Sequence, residues 1–191
     1  MGIVMSASIV DRIFDTFEQH GAERYGEDVT QLQHALQAAE LARQDDAPET
    51  LVAAALLHDI GQFVGGAGDA AELQDRDGRH ETLGAALLAA HFAPAVTEPV
   101  RLHVAAKRYL ATVRPGYAEA LSGASLLSFG LQGGVMSAAE RADFEAEPHF
   151  AAAVRMRLYD DGGKHADWTV PSLESHRALL VRLSAPNQHP A

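Results

Sequence analysis

The sequence holds no cysteine, one tryptophan and only 6% aromatic residues in 191 positions. Without cysteine there is no disulfide, no thiolate zinc site and no cysteine nucleophile, so any metal must be held by imidazole and carboxylate. Basic residues are scarce as well: 15 Lys and Arg stand against 26 Asp and Glu, a formal net charge of −11. General nucleic-acid binding needs a basic footprint, which is missing. No apolar run approaches the roughly 20 residues that span a bilayer, and the start at Gly2 to Val4 does not read as a signal peptide. These absences predict a cytoplasmic protein with no nucleic-acid and no membrane partner, and they fix no oligomeric state.

Alanine and leucine are abundant, which predicts packed helices rather than strands. The expected fold is all-α, a single helical domain over 1–191 with its core from about 6 to 183 and a tail over 184–191. Ile9, Ile13, Phe14 and Phe17 fall at helical spacing and predict a first helix over about 6–20. A second runs over about 30–43, with Asp28 or Thr30 as its cap. Asp45-Asp46 followed by Pro48 reads as a cap-then-proline start for a third over about 48–57, and Gly61 as its left-handed terminator. A loop over 64–77, rich in Gly, Asp and Ala, leads to a helix from His80 to about Phe92. Pro94 and Pro99 punctuate the chain before a helix carrying Val100, His103, Lys107 and Arg108. Pro115-Gly116 marks a turn, and Ser137 with Glu140 forms a capping box. Further helices are expected over about 148–160, with Gly162-Gly163 as a breaker, and over about 171–183.

The alanine-rich run ends in Leu56-Leu57-His58-Asp59-Ile60-Gly61-Gln62, two strong metal ligands side by side where a buried helix must stop. Adjacent residues on an ideal helix point roughly 100° apart. The pair therefore fits one ion or two neighbouring ions only with the freedom of a helix end. The bland alternative is a C-terminal histidine on the helix dipole beside an exposed aspartate. Whether the pair is isolated decides between the two. Of the ten histidines, His20, His91, His149, His165, His176 and His189 fall near helix ends, on polar faces or in the tail. His34, His58, His80 and His103 sit in or beside apolar helices or follow a helix-start signal. With Asp59 and a later aspartate they supply four imidazoles and two carboxylates, enough for two metal ions with open positions and suited to iron or manganese. His103 and Lys107 share a helix face. Ser122, Ser125 and Ser128 fall on one helical stripe, and Arg157, Asp160 and Lys164 follow at i, i+3 and i+7.

The order His34, His58-Asp59, Asp160 resembles the HD-domain superfamily of all-helical metal-dependent proteins, and His80 and His103 resemble its dinuclear subset. Longer strings sharpen this: Tyr25-Gly26-Glu27, Gln31-Leu32-Gln33-His34, Leu56-Leu57-His58-Asp59-Ile60-Gly61, His80-Glu81, Arg101-Leu102-His103 through Tyr109, and Leu131-Gln132-Gly133-Gly134. Together they are similar to the mixed-valent diiron oxygenases of organophosphonate breakdown, which include glycine-forming 2-amino-1-hydroxyethylphosphonate dioxygenases. Myo-inositol oxygenases are more distant relatives.

The resemblance implies two iron ions, Fe(II)/Fe(III), with O2 as co-substrate. His34, His58, Asp59 and Asp160 would hold one iron, and Asp59 would bridge to a second held by His80 and His103. Asp160 is preferred to Asp161 because its spacing to Lys164 resembles the family's Asp-x-x-x-Lys ending. Lys107, Arg157, Ser125 and Ser128 would bind the phosphonate of a small organophosphonate substrate. Glu27 would face its ammonium group, and Tyr25 would occupy an iron position until substrate arrives. Relatives commonly have a second histidine where this chain has Gln62, which can donate a hydrogen bond to phosphonate but cannot carry a proton or a charge. The implied reaction is oxidative cleavage of the carbon–phosphorus bond of 2-amino-1-hydroxyethylphosphonate or its N-trimethyl analogue, giving glycine or glycine betaine and phosphate. A dinuclear HD phosphohydrolase acting on a phosphate ester or nucleotide would use the same ligands to activate water. Glu27 and the serine stripe favour the oxygenase.

Overall fold

The computed structural model describes residues 7–24, 28–64 and 77–184. Nearly all of the loop expected over 64–77 and of the tail lies outside them. Ser8 accepts a hydrogen bond from the Asp11 amide and starts α1 (Ile9–His20), which turns Ile13, Phe14 and Phe17 inward. Thr30, not Asp28, caps α2 (Gln31–Gln44), in a reciprocal capping box with Gln33. In α3 (Glu49–Leu57) every residue from Leu51 to Leu57 is buried. A helix apolar on all sides belongs at the centre, and α3 packs there against α2, α5 (Pro94–Val113) and α8 (Phe150–Gly162). Burying a leucine such as Leu56 or Leu57 contributes about 1.5–3 kcal/mol.

Three expected punctuation marks play other parts. Asp45 ends α2 and receives hydrogen bonds from Arg155 and Tyr159, while Asp46 takes a positive φ of 48° and Pro48 itself is the residue before α3. Pro99 lies inside α5 rather than before it. Its fixed φ suits a helix and costs one intrahelical hydrogen bond near the N-terminus, while Val96 and Val100 on either side are buried. Gly61 is not left-handed but part of a 3-10 turn, Ile60–Phe63. Its reason is contact: a Cβ there would stand 1.9 Å from the His80 carbonyl oxygen. Glycine thus lets the first turn of α4 (His80–Ala89) lie directly on the chain that follows Asp59.

The rest of the chain completes the wall of the bundle. α6 (Gly123–Leu131) begins at Ser122, and α7 (Ala138–Glu145) at the Ser137–Glu140 capping box. The last helix is shorter than expected, a 3-10 turn Leu173–His176 followed by α9 (Arg177–Leu183). His176, expected near a helix end, on a polar face or in the tail, is the residue before α9 and is 3% exposed. Most of the core lies between α1, α2 and α3, and Leu102, Ala106, Phe144 and Ala153 form a smaller cluster where α5, α7 and α8 meet. Among the described residues there is no strand beyond an isolated bridge between Arg24 and Thr30, and no helix is long and apolar enough to cross a membrane.

Candidate metal centre and anion pocket

α2 supplies His34, the end of α3 His58 and Asp59, the start of α4 His80, the middle of α5 His103, and the end of α8 Asp160. His58, the residue that caps the end of α3, keeps helical angles, whereas Asp59 leaves the helix at φ −98°, ψ 6°. That change of direction lets two adjacent side chains serve one site.

Three of the four rings are held from behind by a backbone carbonyl. His34 Nδ1 lies 2.8 Å from the Gly163 carbonyl, His58 Nδ1 2.8 Å from that of Ala55, and His103 Nδ1 2.7 Å from that of Val100. A carbonyl only accepts, so Nδ1 carries the hydrogen in the neutral ring and Nε2 is left as a lone pair. His80 differs, since its Nδ1 faces the Glu81 carboxylate at 3.9 Å. Gly163 reaches His34 because α8 ends close against α2, where a Cβ would press on the Ala38 amide at 3.0 Å. Gln37 pins the following segment, donating to the carbonyls of His165 and Trp168 and accepting from the His165 amide.

The Nε2 atoms converge in pairs: His34 and His58 at 3.0 Å, His80 and His103 at 2.9 Å. Asp59 stands between the pairs. Its Oδ2 lies 3.7 and 3.5 Å from His34 and His58, and its Oδ1 3.2 and 3.8 Å from His80 and His103. Asp160 Oδ1 joins the first pair at 3.3 and 3.8 Å. Lone pairs facing each other at such distances repel unless a cation lies between them. With metal–nitrogen bonds of about 2.1 Å, nitrogens this far apart can reach one ion together. The donor set therefore fits metal ions, with Asp59 placed to reach both groups of ligands.

The electrostatics match a cation site. Burial opposes charge on His34, but the hydrogen bond and charge of Asp160 raise its pKa above the ordinary value; Asp59 does the same for His80. Burial holds His58 below its usual range and, with the charges of His80 and His58, holds His103 well below. Burial works against the charged forms of Asp59 and Asp160. The imidazoles of His58 and His80 around Asp59, and Arg157 and His58 around Asp160, still keep both far below the usual carboxylate range.

Beyond the metal ligands the same pocket is lined by Gln62, Lys107, Ser125, Ser128, Arg157 and Lys164. Lys107 Nζ donates to Ser128 Oγ at 2.7 Å, and Lys164 Nζ to Ser125 Oγ at 2.9 Å and Ser122 Oγ at 3.2 Å. The serine stripe is thus the inner face of α6, where Ser125 and Ser128 are the only buried residues while Leu126 and Leu127 are each 50% exposed. Arg157 is 3% exposed and hydrogen-bonded through Nε, Nη1 and Nη2 to Tyr117, Asp160 and Asp161. Of the adjacent aspartates, Asp160 faces the histidines and Asp161 the guanidinium.

Sequence reasoning placed Lys164 only as a spacing mark, and it missed Gln31, Tyr117 and Asp161. Gln31 lines the pocket with its amide oxygen buried and without a hydrogen-bond partner. Its place beside His34 in the string was visible; its exposure to the site was not. Tyr25 and Glu27 lie outside the described residues, so their roles rest on resemblance alone.

The HD-domain family model matches residues 30–122. The chain is 47% identical over 168 residues, 87% of its length and 84% of the relative's, to hydroxymethylphosphonate dioxygenase of Gimesia maris. It is 43% identical over 177 residues, 92% of its length and 90% of the relative's, to [1-hydroxy-2-(trimethylamino)ethyl]phosphonate dioxygenase (glycine-betaine-forming) of Leisingera caerulea. An uncharacterized protein of Acanthamoeba polyphaga mimivirus is 33% identical over 175 residues, 90% of this chain and 80% of its own.

Proposed function

We propose, since this chain belongs to the HD-domain family and shares a branch of it with these dioxygenases, that it is an iron-dependent oxygenase cleaving the carbon–phosphorus bond of a 1-hydroxyphosphonate. The observation that carries the reading is the pair of Asp59 oxygens, each turned to its own pair of histidine Nε2 atoms, with a lysine–serine anion pocket beside them. His80, His103 and Asp59 make a two-histidine, one-carboxylate face, the ligand set that leaves positions open on non-haem iron. His34, His58, Asp160 and the other Asp59 oxygen would hold the second iron. When bound, the iron pair supplies dioxygen activation and Lewis acidity.

The protein's own residues bind and aim the substrate. Lys107 and Lys164 bring two positive charges to a phosphonate dianion, and the hydroxyls of Ser125 and Ser128 can turn to donate to its oxygens. Arg157 has two N–H groups beyond its three bonds to protein and forms the wall. Gln62, which lines the pocket, can donate an amide hydrogen to a phosphonate oxygen where the resemblance implies a histidine. The buried oxygen of Gln31 can accept from a substrate hydroxyl or ammonium, satisfying a group otherwise costly to leave unpaired. The overall change consumes one O2, oxidises the hydroxyl-bearing carbon to a carboxylate and releases the phosphorus as inorganic phosphate. A cytoplasmic site of action fits small-molecule catabolism of this kind.

Oxygen uptake and phosphate release, measured with iron-loaded protein on hydroxymethylphosphonate, 2-amino-1-hydroxyethylphosphonate and its N-trimethyl analogue, test the proposal. Stoichiometric uptake and release from at least one of them is expected. Phosphate release from phosphate esters at equal rate without oxygen would replace it with the phosphohydrolase reading.

A further inference from the structure

Arg157 is held in a closed ring. Its Nε donates to the Tyr117 hydroxyl at 3.1 Å, the Tyr117 hydroxyl donates to Asp161 Oδ2, and Asp161 Oδ1 accepts from Arg157 Nη2. Tyr117 is 8% exposed and comes from the turn that follows α5, so the ring ties that turn to α8. The edge of the guanidinium left to Nη1 lies on Asp160 Oδ2 at 2.6 Å, a short charge-assisted bond. Asp160 Oδ1 is the oxygen turned to His34 and His58.

A carboxylate with both oxygens available can chelate a metal and occupy two coordination positions. One whose second oxygen is bound to a fixed guanidinium offers a single oxygen. Asp161 and Tyr117 contact no histidine of the centre, yet they settle where Nη1 points, because an arginine held at Nε and Nη2 cannot rotate its third nitrogen away.

We propose that Tyr117 and Asp161 are positioning residues which, through Arg157, restrict Asp160 to one-oxygen ligation and thereby keep a coordination position open at the His34–His58 metal. This rests on the dinuclear reading above.

Cobalt(II) tests the inference, because its visible absorption responds to the number and kind of its ligands. Tyr117→Phe, Asp161→Asn and the parent are loaded to saturation, and bound cobalt, absorption and unfolding midpoint are measured, followed by kcat and KM of the iron forms. Both variants should bind as much cobalt as the parent and show a changed absorption band, because a second Asp160 oxygen then takes the position that water holds in the parent. Their kcat should fall by about 10-fold or more, the usual effect of losing a group that orients a ligand, with KM changed much less. Asp161→Glu should recover most of both signals. Parent-like spectra and kcat in Tyr117→Phe, whatever its unfolding midpoint, would reduce the ring to packing and overturn the proposal. Tyr117→Phe removes a single hydroxyl and carries the test should Asp161→Asn fail to fold. A parent that takes up no cobalt sinks the dinuclear reading instead, so the two failures are distinct.

Discussion

At one end of the pocket, three of four imidazoles are fastened by backbone carbonyls belonging to helices that pack in the centre of the protein. At the other end, two serines hang from α6, a helix whose leucines face outward and whose inner face is fastened by lysine side chains. The first end holds its donors where rotation would cost a buried hydrogen bond as well as packing. The second uses long, flexible side chains and hydroxyls that can turn. An ion needs ligands fixed before it arrives, since misplacement by a fraction of an ångström empties a coordination position. A phosphonate of variable tail needs charge and donors that can adjust. The pocket thus divides stiffness by task, with Asp59 on the stiff side and α6 on the compliant one.

The sharpest break of this division is His80→Ala. Losing one of the converging nitrogens should lower bound metal from a pair of ions to one and take oxygen-dependent phosphate release below detection. Full activity in that variant would end the dinuclear assignment. The same end should show strong linkage between metal and folding. Converging lone pairs destabilise the metal-free chain, and a ligand present at about 1,000-fold over its Kd stabilises by about 4 kcal/mol. Chelation should therefore lower the thermal midpoint of the parent markedly and that of His80→Ala by much less.

Gly61→Ala comes next. The new Cβ would meet the His80 carbonyl at 1.9 Å and the Gly84 amide at 2.5 Å, both backbone atoms. α4 must move, at a cost of about 3 kcal/mol for forced overpacking, and His80 moves with it. Denaturant unfolding and metal stoichiometry should fall together. A loss of less than about 0.5 kcal/mol, the range of neutral surface changes, would show that the stiff end gives more easily than its packing implies.

Gly61 also shows what the sequence could and could not disclose. The glycine was visible at a helix end and invited a conformational reason, but its real neighbour is a carbonyl far along the chain. Pro99 misled similarly, because a proline in the second turn of a helix looks locally like punctuation. Helix positions were legible where caps were visible, as at Thr30 and Ser137, and the first helix by its apolar spacing alone. The grouping of His34, His58, His80 and His103 was legible because imidazoles in or beside apolar helices need a partner, and few partners other than a metal suit so many; Asp160 was picked out only by the family resemblance. Lys164, Gln31, Tyr117 and Asp161 were not. Each is an ordinary polar residue whose meaning comes from tertiary placement. The burial of His176 was not legible either, since only folding brings it near Arg43 and Glu40 of α2.

On the compliant side, Lys107→Ala should raise KM by about 10- to 100-fold, the loss of a charged hydrogen bond worth about 1.5–3 kcal/mol, with bound metal unchanged. Ser128→Ala should do less, because a hydroxyl that donates to phosphonate is partly replaced by water. A fall in metal content in either variant would join the two ends into one rigid unit and erase the contrast.

The smallest effect is expected where hydrophobicity alone would forecast a large one. α6 reads Gly-Ala-Ser-Leu-Leu-Ser-Phe-Gly-Leu, and by composition its leucines should be core and its serines surface. The fold reverses this: Ser125 and Ser128 are each 8% exposed while Leu126 and Leu127 are half exposed. Leu126→Gln removes little buried area and should change stability by no more than about 0.5 kcal/mol, as for other surface positions, and KM by less than twofold. Ser125→Leu, the mirror change, puts an apolar branch against the Lys164 ammonium and should abolish phosphonate binding while leaving the metal pair in place. Were Leu126→Gln instead the more damaging of the two, α6 would be an ordinary amphipathic helix covered on its leucine face, and the pocket would have no compliant end.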